Sequence, residues 1–135
     1  VSRGALASLA TVTAEAAREG NAIAIQLLQR AGQELAQTAL AVIAHLGRLE
    51  SGQAIYYTGG VFRAGALILD SFTALVASRS PNSSVHAPAF SPAVGSLLLA
   101  LRAAGVELTP TVIDQIRRTL PPDALLKQRP ESEQQ

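Results

Sequence analysis

IYYTGGVFRAG, residues 55–65, is a short β-branched and aromatic run that stops at Thr58-Gly59-Gly60 and then resumes with helical spacing. Bounded by Gly52 and Gly59, residues 53–57 read as a buried strand. Residues 64–78 read as a helix through Leu67, Ile68, Phe72, Leu75 and Val76. Ser80-Pro81-Asn82-Ser83 is a turn, and residues 84–87 form a second short strand ended by Pro88. Strand, helix, strand in this order implies two neighbouring parallel strands joined by a right-handed crossover. Gly59 and Gly60 then fall at the carboxyl end of a parallel strand, where ligands lie and where a missing Cβ lets backbone approach them. A strand-to-helix turn that needs a positive φ accounts for the same two residues.

The flanking chain is helical. Leu6, Leu9, Ala10, Val12, Ala16 and Ala17 follow helical spacing over residues 5–18, and Gly20 marks a stop. Asn21 is placed to cap a second helix, whose apolar stripe from Ile23 through Leu28, Leu35 and Ile43 continues to Leu49 before Ser51-Gly52 breaks it. Some 28 residues would make this the longest element, about 42 Å. Ser91-Pro92 opens a helix that Gly105 closes, and Thr109-Pro110 opens another that Pro121-Pro122 ends. The polar tail, residues 127–135, is expected to be disordered. The reading is a helix-rich α/β domain over residues 1–126, without internal repeats. A parallel pair is normally covered on both faces within a larger sheet, so this segment resembles one end of a larger α/β domain.

Composition narrows the functions. Eleven basic and ten acidic residues give a net charge of +1, with no basic block to track nucleic acid or an anionic membrane. The absence of cysteine removes disulfides, thiolate metal sites and a cysteine nucleophile, and fits a cytoplasmic setting. The absence of methionine suggests a processed product or part of a larger protein. Glu15, Arg18 and Glu19 precede any sustained leucine-rich segment, which argues against a signal peptide. The most apolar windows, residues 35–46 and 94–101, fall short of the ~20 residues that span a membrane.

Three stretches in order, AREGNAIAIQLLQRAGQELA, IYYTGGVFRAGALILDSF and APAFSPAVGSLLLALRAAG, resemble the C-terminal half of the BadF/BadG/BcrA/BcrD ATPase family. That family includes N-acetylglucosamine kinase-like enzymes of the actin-like, ribonuclease H-like superfamily of sugar kinases and Hsp70. The resemblance spans roughly residues 5–105. It implies that Thr58, Gly59, Gly60 and Val61 form the adenosine motif, with adenine and ribose against glycine backbone. Ser91 and Gly95 would start a helix facing the same cleft. ATP and Mg²⁺ would serve the complete enzyme and an amino sugar would accept the phosphoryl group. The superfamily's phosphate-binding hairpin and its catalytic Asp belong to the N-terminal half, and no such hairpin occurs here, so no catalytic residue is assigned to this chain. Phosphoryl transfer depends on positioning and charge around the phosphates, and this chain should not catalyse it alone. The family's activator branch holds an iron–sulfur cluster with cysteines, which this chain lacks.

The remaining polar residues read as structural. His45 and His86 lie 41 positions apart without metal spacing, so no metal site is assigned. His45 suits a helix end, Asp70 a solvent-facing helix position or a cap for a neighbour, with nothing to support a Mg²⁺ role, Asp114 and Glu107 the start of the last helix, and Arg117-Arg118 a solvated face. An activator ATPase of the same family and a non-enzymatic helical association module are the alternatives. The unpaired edges of a two-strand sheet lead us to expect a homodimer.

Overall fold

The computed structural model describes residues 3–120, with side chains from residue 9 onward except at 63 and 64. Two compact units divide between His86 and Ala87. The first holds α1 (Arg3–Arg18), α2 (Ala22–His45), β1 (Ala54–Tyr56), a 3₁₀ turn (Gly60–Ala64), α3 (Ala66–Arg79) and β2 (Ser84–His86). The second holds α4 (Pro92–Ala103) and α5 (Pro110–Thr119). The chain is helix-rich α/β, and its two strands pair in parallel. Among the described residues no helix is long and apolar enough to cross a membrane.

Asn21 caps α2 as its position suggests. Its Oδ1 accepts hydrogen bonds from the N–H groups of Ile23 and Ala24, both at 3.1 Å. Such a cap contributes about 1 kcal/mol. The helix is shorter than its apolar stripe implies: it runs 24 residues, about 36 Å, and stops at His45 rather than Leu49. Gly47 takes a left-handed φ of 67°, its N–H donates to the Ala44 carbonyl at 2.9 Å and the Arg48 N–H donates to the Ile43 carbonyl at 3.0 Å. Those bonds satisfy carbonyls at the helix end and turn the chain away.

The core of the first unit lies between α2 and α3. Ala24, Leu28, Gly32, Ala36 and Leu40 recur every four residues on α2, facing the equally spaced Ile68, Phe72 and Val76 of α3. Gly32 is where the helices come closest. A Cβ there would collide with the Ile68 carbonyl oxygen and stand 3.1 Å from the Ser71 Cβ. Ala17 of α1 completes one end of the core with Ala24, Leu28 and Ile68. At the other end Ala36, Phe72 and Val76 receive Ile55 and Val85 from the strands.

The strands are shorter and less buried than expected. Three residues pair in register, Ala54 with Ser84, Ile55 with Val85 and Tyr56 with His86. One bond extends the ladder at each end, Ser84 N–H to the Gln53 carbonyl and Tyr57 N–H to the His86 carbonyl. Only Ile55 and Val85 turn toward the helices; Ala54, Tyr56, Ser84 and His86 are exposed. Alternation along a strand sends neighbours to opposite faces, and the described residues cover one face. The helix expected from residue 64 begins instead at Ala66, because Gly65, at φ 136°, separates it from the 3₁₀ turn.

A polar clasp closes the end of the sheet away from Gly59 and Gly60. Ser80 is fully buried, and its hydroxyl donates to the Leu49 carbonyl at 2.7 Å. Ser83 Oγ lies 2.8 Å from Ser80 Oγ and accepts from the Gln53 N–H at 2.9 Å. Asn82 Nδ2 donates to the Glu50 carbonyl at 2.7 Å, and Gly52 presses against the Asn82 carbonyl. The predicted turn at residues 80–83 therefore also ties down the loop before β1.

In the second unit, Pro92 occupies the first turn of α4 and Thr109 caps α5, its Oγ1 accepting from Val112 N–H at 3.4 Å. The Arg117 guanidinium lies 5.5 Å from the Phe90 ring centre and 3.4 Å from an Asp114 carboxylate oxygen. Leu120 is the C-cap of α5. The Pro121-Pro122 stop and the tail at 127–135 lie outside the described residues.

Gly32→Ala should destabilise the protein by about 1–2 kcal/mol: overpacking against a backbone carbonyl costs about 1–3 kcal/mol, and alanine's helix propensity returns up to about 1. Urea unfolding measures this, and unchanged or raised stability would show that α2 and α3 are not in close contact.

Candidate functional site

Thr58, Gly59, Gly60 and Val61 form the passage from β1 to the 3₁₀ turn, at the carboxyl end of a parallel strand. All four are exposed. The last rung of the sheet, from Tyr57 N–H to the His86 carbonyl at 3.2 Å, holds the chain immediately before them. Phe62 holds it immediately after. Its ring stands 5.1 Å from that of Tyr57 and meets Phe72 edge-on at 5.8 Å. It also packs against both core clusters. The turn is therefore exposed but anchored at each end.

Gly59 has φ 110° and ψ 167°, a conformation that L side chains rarely adopt. A Cβ built there meets nothing within 4 Å. The dihedral angle, not protein crowding, thus accounts for this glycine, and the same geometry leaves a bare stretch of backbone open to solvent. Gly60 opens the 3₁₀ turn. Chemically the turn offers peptide groups, the Thr58 hydroxyl and the apolar Val61 side chain, with no charged group among these four residues.

Ser91 and Gly95 stand at the start of α4, in the second unit, and the structure assigns them to a different unit from the turn. Ser91 takes the N-cap position with extended backbone, yet its side chain makes no capping hydrogen bond. Its carbonyl accepts from the Gly95 N–H at 3.0 Å. Gly95 is half-buried, and a Cβ there also meets nothing within 4 Å, so close helix packing does not account for it.

His45 ends α2 and Asp70 is exposed on α3. His86 belongs to the open sheet face, where Nε2 lies 2.8 Å from Ser84 Oγ and the ring stands 5.5 Å from that of Tyr56. Among the described residues no three His, Cys, Asp or Glu side chains gather as a metal site would require. Sequence reasoning missed the Phe62 anchor and the Tyr56–His86 pair. Alternation at residues 54–56 and 84–86, once registered, was the signal that could have found the latter.

No protein-family model matches the chain, and neither a curated protein nor a solved structure does.

Two glycine replacements separate dihedral need from spatial need. Gly59→Ala should cost about 1–3 kcal/mol in unfolding free energy from backbone strain alone. Gly95→Ala, in open space within a helix, should stabilise by about 0.5–1 kcal/mol. Thermal or urea unfolding reads both; a neutral Gly59→Ala would mean that the turn relaxes out of the left-handed region.

Proposed function

We propose that this chain supplies the adenosine-binding side of an ATP-dependent amino-sugar kinase with an actin-like, ribonuclease H-like fold. The observation that carries the reading is the exposed Thr58–Val61 turn, anchored by Phe62 at the carboxyl end of a parallel strand, with Gly59 leaving its backbone open. Peptide groups and Val61 suit the uncharged end of a nucleotide. They do not suit Mg²⁺, which favours carboxylate and phosphate oxygens, so the ion belongs with the phosphates rather than with this turn. In this reading the N-terminal half of the enzyme holds the phosphates, Mg²⁺ and the sugar, in the cytoplasm, and this chain is inactive by itself. Ser91 and Gly95 are assigned to nucleotide binding by the family resemblance. Sugar-dependent release of ADP by the complete protein separates this reading from an activator ATPase.

A specific observation favours a second reading, an association module that forms homodimers. Leu9 and Val12 of α1 and Ile23 and Leu27 of α2 are each more than half exposed. Exposed apolar surface of this extent draws partners when it is contiguous.

Titration of the chain with ATP and Mg²⁺, followed by amide NMR, tests the first reading. The expected result is saturable shifts at Gly59, Gly60 and Val61 with an affinity near ~1 mM, about −4 kcal/mol. Silence at those amides up to about 10 mM would overturn nucleotide binding by the Thr58–Val61 turn.

A further inference from the structure

We propose that Tyr56 and His86 form a stacking platform for the purine ring of an adenine nucleotide whose ribose lies on the adjoining Thr58–Val61 turn. The proposal rests on the adenosine reading of that turn and adds a base-binding surface to it.

Tyr56 and His86 are register partners, the last pair of the parallel sheet, at the carboxyl ends of both strands. They lie on the face opposite Ile55 and Val85, which are taken up by the core. Their rings stand 5.5 Å apart with planes tilted by 34°. Tyr56 is 62% exposed, although a tyrosine usually buries much of its ring. The hydrogen bond between His86 Nε2 and Ser84 Oγ restrains the imidazole's rotation. Two exposed aromatic residues thus stand side by side, and Tyr56 lies close in sequence to a turn whose backbone is bare.

Charge indicates which end of a nucleotide fits. None of Tyr56, Thr58, Gly59, Gly60 and Val61 carries a charge, so the groups proposed to meet the base and ribose themselves offer a phosphate no cation. A neutral planar base stacks on aromatic rings whatever its hydrogen-bonding edge, and loss of one such ring weakens binding by roughly five- to a hundred-fold. Tyr56 precedes Thr58 by two residues, about 7 Å of extended chain, which is the scale separating a base from its ribose.

The test uses the whole chain with three probes: ATP with Mg²⁺, ribose 5-phosphate as the probe lacking a base, and N-acetylglucosamine. With ATP we expect the ring protons of Tyr56 and His86 to shift, the adenine H2 and H8 to move upfield, and the Gly59 and Gly60 amides to respond. Ribose 5-phosphate and the sugar should leave the two rings unmoved. Tyr56→Ala, at an exposed position, should weaken ATP binding about ten-fold or more, whereas Tyr56→Phe should preserve it. Shifts at the glycine amides without ring shifts would overturn the platform and leave the turn reading intact. Ring shifts with silent glycines would support the platform and overturn the turn as the ribose site. Silence at both, equal ring shifts with the sugar, or equal losses in Tyr56→Ala and Tyr56→Phe would overturn the proposal.

Discussion

The first unit depends on the approach of α2 to α3 at Gly32, where only hydrogen separates one helix from the Ile68 carbonyl of the other. A residue with a side chain would hold the axes apart, and the rows on either side of Gly32 would lose their interdigitation. Ala36 keeps the following turn of α2 slim, so Leu28, Ile68, Phe72 and Val76 can fill the space between the helices. The strands are three residues each, too short to persist alone, and they gain their place by setting Ile55 and Val85 onto this helical layer.

From that contact a chain of packing reaches the candidate site. Phe72 sits one helical turn after Ile68, Phe62 stands edge-on to Phe72, and Tyr57 stands against Phe62. The aromatic rings link the buried helix pair to a turn that is itself exposed. Recognition by backbone requires such support, because a peptide surface orients a ligand only if it does not collapse when the ligand leaves.

Helices were legible in the sequence because their signals are local: four-residue apolar spacing, Asn21, Pro92 and Thr109 all act within a turn or two. The end of α2 was not, since Leu46 and Leu49 prolong the apolar pattern beyond Gly47, whose left-handed cap ends the helix. Gly32 looks like an unfavourable residue in a helix interior; its purpose lies in another helix 36 positions away. The clasp of Ser80 and Ser83 with Leu49 and Gln53 joins residues about 30 positions apart and has no short-range signature. At the candidate site, the Thr58-Gly59-Gly60 turn could be placed at a strand exit from its punctuation alone. Its anchoring could not, because Ile55, Tyr56 and Tyr57 are all apolar or aromatic and conceal the alternation that separates them.

That alternation gives two adjacent tyrosines opposite tasks. Tyr57 turns toward Phe62 and secures the glycine turn, while Tyr56 turns outward and meets His86. A slip of one residue in strand register would exchange them, exposing the anchor and burying the outer ring. Three-residue strands resist such a slip poorly on their own. The clasp supplies the missing constraint at the far end, where Ser83 Oγ takes the Gln53 N–H and Gly52 fits against the Asn82 carbonyl. Substituting Gly52 would therefore disturb a loop at one end of the sheet and, through register, the faces presented at the other. The glycines before and after β1 serve one geometry: Gly52 sets where the strand begins, and Gly59 lets it end in open backbone.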